Sequence, residues 1–387
     1  MNNSAILDNA KKELPHIKNL FDKYSKKIES DRRLPDDLVT AVSKTGIFDS
    51  MIPLSGGGRE WKLPVTLRVI EELSKIDGSI GWMSGVGGAV SGVTTGWLPS
   101  NVIRALFGKD PLRLVSASTR PSGIATSVPG GISLSGKWQF ASSVSNARLV
   151  LGGFHLEDEI PKVGLIAIFK PNELEILDTW SVLGMHGTGS HDFVISNLFV
   201  PQEHTLDYVD GTPKHDGPLY RMQPRFTLIT TIAPLALGMA RTATEYFKDF
   251  MSKKQDSQTG TPMLDRSTLQ ERFAKAEIAL RSARAFFYDT IDNLWDIIER
   301  GDQPTDKEIT VGRLAVTNAV TSGTKVIDIL YHSAGSSSFY KNNLLERYFR
   351  DIHVVAQHGF ATDENLYHLG ANLLEDDSSD VSKTRPF

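Results

Sequence analysis

The spacing of apolar positions changes twice along the chain. Over Ala5 to Ile28, the residues Ile6, Leu7, Leu14, Ile17, Leu20, Phe21 and Tyr24 recur on one face of a 3.6-residue period and predict an amphipathic helix. Pro35 opens a second helix over Asp36 to Thr45, since a proline in the first turn forfeits no intrahelical bond, and Gly46 closes it. The Gly-rich segment Ile52 to Glu60 reads as a loop. Pro64 starts a third helix, in which Leu67, Ile70, Leu73 and Ile76 share a face. Ile80 to Leu98 carries glycines and serines at mixed spacing and predicts a tightly packed interior helix. A short helix follows at Asn101 to Gly108.

From Leu114 the period shortens. LVSAS, IATSV, ISLSG, KWQFA, RLVLGGF, VGLIAIF and HDFVISNLFV are short runs separated by Pro-Gly, Gly-Gly, Asp-Glu and Pro-Asn turn signals, which predicts an antiparallel sandwich or small barrel. In the last run Phe193, Ile195, Leu198, Phe199 and Val200 alternate imperfectly, as in a strand buried on both faces or bent by a bulge. Residues 206–217 read as a polar linker.

Helical spacing then returns, with two capping-box starts, Ser267 with Gln270 and Thr305 with Glu308. The first helix has Phe273, Ala276, Leu280, Ala283, Phe287, Ile291 and Leu294 to bury, and Gly301 ends it. The second has Leu314, Val320, Val326, Ile329 and Leu330. A final helix from Leu344 bears Arg347, Arg350, Asp351 and His358, and a polar tail spans Glu375 to Phe387. The predicted fold class is α+β: an N-terminal helical domain (1–112), a middle antiparallel β domain (113–210) and a C-terminal four-helix bundle (211–387).

A chain of 387 residues with 42 basic and 46 acidic residues, net charge −4 and no long run of one sign, argues against nucleic acid or an anionic membrane surface as its main partner. The absence of cysteine removes disulfides, thiolate nucleophiles and Cys-ligated metals. No basic-then-apolar leader opens the sequence and no run of about 18 uninterrupted apolar residues occurs, so a cytoplasmic protein is expected. No GxGxxG after a strand, phosphate-binding Gly-Lys-Ser/Thr loop, His-x-x-x-His pair or Gly-x-Ser-x-Gly elbow appears.

One cofactor chemistry has material. A flavin needs a flat apolar slot, a few hydrogen bonds to the polar ring edge and a phosphate pocket. Trp138, Phe140 and Trp180 can wall such a slot, or equally form ordinary sheet core. Ser116, Ser118, Ser142 and Ser143 can supply hydroxyl and backbone donors.

Two segments carry a resemblance: WSVLGMHGTGSHDFVISNLFVP (Trp180 to Pro201) and SGKWQFASSVSNARLVLGG (Ser135 to Gly153). Together they resemble the middle domain of the acyl-CoA dehydrogenase superfamily. The nearer likeness is to the oxygenase components of two-component flavin-dependent monooxygenases. The resemblance implies that Ser142 contacts the reactive flavin nitrogen, that Ser116 to Ala125 runs under the ring edge and that Trp180 backs the ring. Ser143 departs from the glycine more usual after that serine. Laying Arg350-Asp351 on the family's Arg-Asp puts Gly359 where a dehydrogenase has its catalytic glutamate. His358 stands beside it and, over His353, is the implied catalytic histidine of the oxygenase branch.

No clear match exists for the arginine that grips the flavin phosphates. Lys253, Lys254 or Arg272 would stand in, or else be solvated charges. The implied reaction takes reduced flavin from a separate NAD(P)H-dependent reductase, adds O2 to form a C4a-hydroperoxide and oxygenates a small aromatic or heteroatom-bearing substrate. FMN is favoured over FAD, and a homotetramer is implied. The rival readings are a thioester-oxidising dehydrogenase using Glu245 and a flavin-free binding protein.

Overall fold

The computed structural model describes residues 2–374 except 162, 257 and 363; the expected polar tail, Glu375 to Phe387, lies outside them. Helices α1 (Asn3–Asp31), α2 (Asp36–Ser43), α3 (Leu63–Ser74), α4 (Gly78–Gly96) and α5 (Ser100–Phe107) come first. Strands β1 (Val115–Val128), β2 (Gly131–Trp138), β3 (Leu149–Leu156), β4 (Leu165–Phe169), β5 (Glu175–Leu177), β6 (Asp192–Pro201) and β7 (Thr205–Asp207) follow. The rest is helical: α6 (Pro218–Arg221), α7 (Pro224–Thr230), α8 (Ile232–Ser252), α9 (Ser267–Glu299), α10 (Asp306–Ala334), α11 (Leu344–Ala356) and α12 (Glu364–Leu374).

The strands form one mixed sheet in the order β5-β6-β2-β1-β3-β4-β7. Its departure from the expected all-antiparallel arrangement is the parallel pair β1–β3. β2 returns along β1 as a hairpin, and residues 139–148 then reverse the chain again before β3 docks on the far edge of β1, so β3 runs with β1; such pairs need a crossover connection. LVSAS and IATSV prove to be one strand, broken in register with β3 around Pro121. The imperfect alternation of β6 reflects a register shift against β2 between Leu134 and Gly136. Leu206 and Tyr208, assigned to a linker, are buried on and beside β7.

β3 and β4 show the period of two clearly. Leu149, Leu151, Ile166 and Ile168 face α4 and α5, where they meet Val90, Val93, Trp97 and Ile103. Val150, Phe154, Ala167 and Phe169 face the other side, with Trp138 and Phe193. A third apolar cluster runs through α1, α3 and α4 on one side and α8–α11 on the other, so the two helical portions share a core. The stretch Pro224–Ser252 is long and apolar enough to cross a membrane by length and composition, and 83% of its most apolar part is buried against this core.

Helix boundaries test the capping signals. Thr305 and Glu308 form the reciprocal box, with Glu308 N–H donating to Thr305 Oγ1 at 3.2 Å and Thr305 N–H to Glu308 Oε2 at 2.7 Å. Ser267 does not cap. It lies inside the first turn of α9, behind Arg266, and Gln270 turns back to the Leu264 carbonyl at 2.9 Å instead. The final helix is also shorter than expected: α11 stops at Ala356, and His358 sits in the turn beyond it.

Candidate active site

β2 ends at Trp138, and the next five residues leave the sheet. The Ala141 N–H donates to the His191 carbonyl at 3.1 Å and the Ser143 N–H to the Thr188 carbonyl at 2.7 Å, which ties this turn to the loop before β6. Phe140 and Ser143 both hold φ of 61°. That left-handed conformation costs a non-glycine residue roughly 1–2 kcal/mol, and such strain collects where side-chain placement matters. Its result is that Phe140 stands 57% exposed, edge-on to Trp180 at a centroid distance of 6.4 Å.

Ser142, half-buried, is held by two partners. The Trp82 indole N–H of α4 donates to its Oγ at 2.9 Å, and Ser190 Oγ lies 2.9 Å away. The Trp82 ring also packs edge-on to the His358 imidazole at 5.3 Å. His358 meets Phe360 at 5.1 Å, and the Arg225 guanidinium lies over the Phe360 ring, 5.3 Å from its centroid. Burial, with the nearby positive charge of Arg120, pushes the His358 pKa down to about 4, so the ring is neutral near pH 7. The Phe360 N–H points at His358 Nδ1 at 3.4 Å, which leaves the ring proton on Nε2.

Residues 180–191 are anchored from α11. Asp351 Oδ1 accepts the Met185 N–H at 2.5 Å, and Arg350 donates to the Leu183 carbonyl at 2.9 Å. A Cβ on Gly184 would stand 2.6 Å from the Arg350 carbonyl, so only glycine permits this approach. Arg347 reaches Asp77 at 2.7 Å, joining α11 to the start of α4. The Arg-Asp pair thus positions the loop. Inside it the Met185 carbonyl accepts the Trp180 indole N–H at 3.2 Å and the Thr188 hydroxyl at 2.9 Å. His191 Nδ1 accepts the N–H groups of Thr179 and Trp180, both at 3.2 Å, and burial lowers its pKa, so it is a neutral structural histidine.

Of the expected site residues, the structure gathers Phe140, Ser142, Ser143, Trp180 and His358 around this turn. Trp138 is not among them. It is fully buried, stacked on Phe193 at 4.8 Å, with its N–H on the Gly153 carbonyl at 2.8 Å. Gly123, Gly136 and Gly152 make its berth: a Cβ on any of them would come within 2.8 Å of the indole or the chain beside it. It is sheet core. Ser116 and Ser118 are buried on β1. Lys254 is tied to Ser337 Oγ and lies over Phe250 at 4.2 Å.

Arg272 is exposed and lines a cavity of about 740 Å³ with Lys325, Asp328, His332, Gln357 and Thr362, the last two flanking the His358 turn. His353 bonds Asp328 at 3.0 Å. Glu245, the rival base, is exposed on α8, and none of the described residues comes within 4 Å of a Cβ built at Gly359. Sequence reasoning missed Trp82, Thr188 and Ser190. An indole inside a helix of glycines and serines was the available signal for the first.

These residues fit the ring of a flavin. An exposed aromatic backed by a second one offers a flat apolar face. Among the described residues the Oγ atoms of Ser116 and Ser143 are buried without a hydrogen-bond partner, so polar capacity is present beyond what the fold uses.

Residues 230–363 match the family model described as acyl-CoA dehydrogenase, C-terminal domain. The chain is 31% identical over 349 residues to an indole-3-acetate monooxygenase of Pseudomonas putida, covering 89% of this chain and 88% of that one. It is 25% identical over 377 residues to the oxygenase subunit of a flavin-dependent monooxygenase of Mycobacterium tuberculosis, covering 95% and 94%. Its fold matches that of XiaF from Streptomyces sp., solved with FADH2 and glycerol, with a TM-score of 0.88 at 22% identity over 98% of both chains.

Proposed function

The chain belongs to the flavin-dependent monooxygenases built on the acyl-CoA dehydrogenase fold, as an oxygenase component, and we propose that it uses reduced FMN from a separate reductase to oxygenate a small aromatic substrate. The observation that carries this reading is Trp82, which touches Ser142 with its N–H and His358 with its ring. One residue thereby joins the expected flavin contact to the expected catalytic histidine. When bound, the reduced flavin supplies the two electrons by which O2 places one oxygen on the substrate and leaves the other as water.

The protein's part is positional. Phe140 and Trp180 hold the ring face, and Ser142 meets the polar edge. His358, neutral and protonated on Nε2, donates a hydrogen bond into the pocket rather than removing a proton; a group with its pKa near 4 is a poor base at neutral pH. The apolar enclosure of Trp82, His358 and Phe360 excludes water. Arg272 and Lys325 at the adjoining cavity supply the cationic end for the phosphate, in place of Lys254. The β segment 113–210 forms a unit with a core of its own, built from residues between Ala125 and Val200. A homotetramer is consistent with Ile278 and Phe286, exposed on α9.

The test is rapid mixing of the protein and photoreduced FMN with oxygenated buffer, followed by the same mixture with indole-3-acetate present. A transient absorbance before oxidised flavin appears, and a hydroxylated product that needs reduced flavin, are expected. Immediate return to oxidised flavin, with no product from any aromatic acid tried, would refute the proposal.

A further inference from the structure

The hydroxyls behind Ser142 form a chain with a fixed direction. Thr188 Oγ1 lies 2.9 Å from the Met185 carbonyl oxygen, which can only accept. Two oxygens that close with no hydrogen between them would repel, so the single hydroxyl hydrogen of Thr188 points at Met185. Thr188 Oγ1 can then only accept from Ser190, 2.8 Å away, and Ser190 must spend its own hydrogen there. By the same count Ser190 Oγ, 2.9 Å from Ser142 Oγ, can only accept, so the Ser142 hydrogen turns inward. Trp82 Nε1–H occupies one lone pair of Ser142 from the side. What Ser142 keeps for a ligand is its other lone pair. Thr188 and Ser190 are both buried, so no solvent competes for their hydrogens.

We propose that Thr188 and Ser190 are positioning residues that make Ser142 a hydrogen-bond acceptor, so that the site selects reduced over oxidised flavin. The inference rests on the flavin contact assigned to Ser142 above. The chemistry of the ligand supplies the selection: N5 of a reduced flavin bears a hydrogen and donates, whereas N5 of an oxidised flavin is a bare acceptor. An acceptor facing an acceptor leaves both unsatisfied, which is the more expensive error in a buried site. Such a site would take up the cofactor as the reductase delivers it and release it once spent.

The measurement is the dissociation constant of oxidised FMN in air and of reduced FMN under anaerobic conditions, for the wild-type protein and four variants whose folding is checked by circular dichroism. Wild type should bind the reduced form more tightly. Ser190→Ala and Thr188→Val each free a hydroxyl to turn and donate outward. Each should narrow the preference roughly tenfold, chiefly by tightening oxidised FMN, and lower the bound flavin's potential by about 30 mV for this two-electron couple. Thr188→Ser keeps the chain and should keep the preference. Ser142→Ala should narrow it from the other side, by weakening reduced FMN alone.

Equal affinities for the two forms in the wild type, or an unchanged preference in a folded Ser190→Ala or Thr188→Val protein, would overturn the proposal while leaving the flavin site standing. Should neither of those variants fold, a Ser142→Ala protein with the wild-type preference would overturn it. No binding of either redox form would overturn the flavin reading itself, and this inference with it.

Discussion

The Trp82 indole donates its N–H to Ser142 Oγ at 2.9 Å, across 60 residues of sequence and from a helix to a turn after a strand. The same ring shields His358. The two residues expected to act on a flavin are therefore not independent, and changing Trp82 should be felt at both.

Trp82→Ala opens one side of the His358 imidazole to water. Burial is the main cause of its low pKa, so its titration should rise from about 4 toward the ordinary 6.5. Trp82→Phe keeps the ring and loses only the N–H, and should leave the titration near its starting value. Proton NMR of the imidazole, read against pH, separates the two.

His358 also makes the fold sensitive to acid. Its folded pKa lies below its unfolded one, so between about 4 and 6.5 the unfolded chain binds the extra proton and stability rises with pH. The contribution is whole above 6.5 and lost as pH falls to 4. His358→Gln should remove a slope of up to about 1.4 kcal/mol per pH unit in that window. Urea unfolding at pH 4.5, 5.5 and 7 measures it.

Phe140 combines backbone strain with an exposed ring. Phe140→Gly should stabilise the fold by about 1 kcal/mol, since glycine tolerates positive φ. It should weaken flavin binding several-fold by removing the apolar face. A thermal melt and a flavin titration of the same variant check both halves.

Arg272 lines the cavity beside the His358 turn. Arg272→Ala should weaken FMN roughly tenfold, the scale of one charge-assisted hydrogen bond. Affinity for riboflavin, which lacks the phosphate, should not change. Equal losses for both ligands would place the phosphate elsewhere.

The two capping signals make a paired test. Thr305→Ala should cost about 1 kcal/mol, because its hydroxyl caps α10. Ser267→Ala should stay within about 0.5 kcal/mol, because no cap bond exists to lose.

That pair also marks where sequence and structure part. Helix against strand was legible for α1, α3, α9 and α10 and for β1–β4 and β6, because the apolar period is a local property, whereas β5 and β7, three residues each, carry too few positions to show a period. The segment carrying Phe140, Ser142 and Ser143 was legible only as a motif: the sequence reads KWQFA as a strand, whereas β2 ends at Trp138 and the residues after it leave the sheet. The fate of Trp138 was not legible. An aromatic on a strand can wall a pocket or fill a core, and the glycines that berth it come from two neighbouring strands and its own. Nor could sequence show that β3 runs parallel to β1, since direction depends on how often the intervening chain turns back. Trp82, Thr188 and Ser190 gained their roles only when α4 and residues 180–191 closed on Ser142. Hydrogen-bond direction belongs to a whole chain of partners, and those partners meet only in three dimensions.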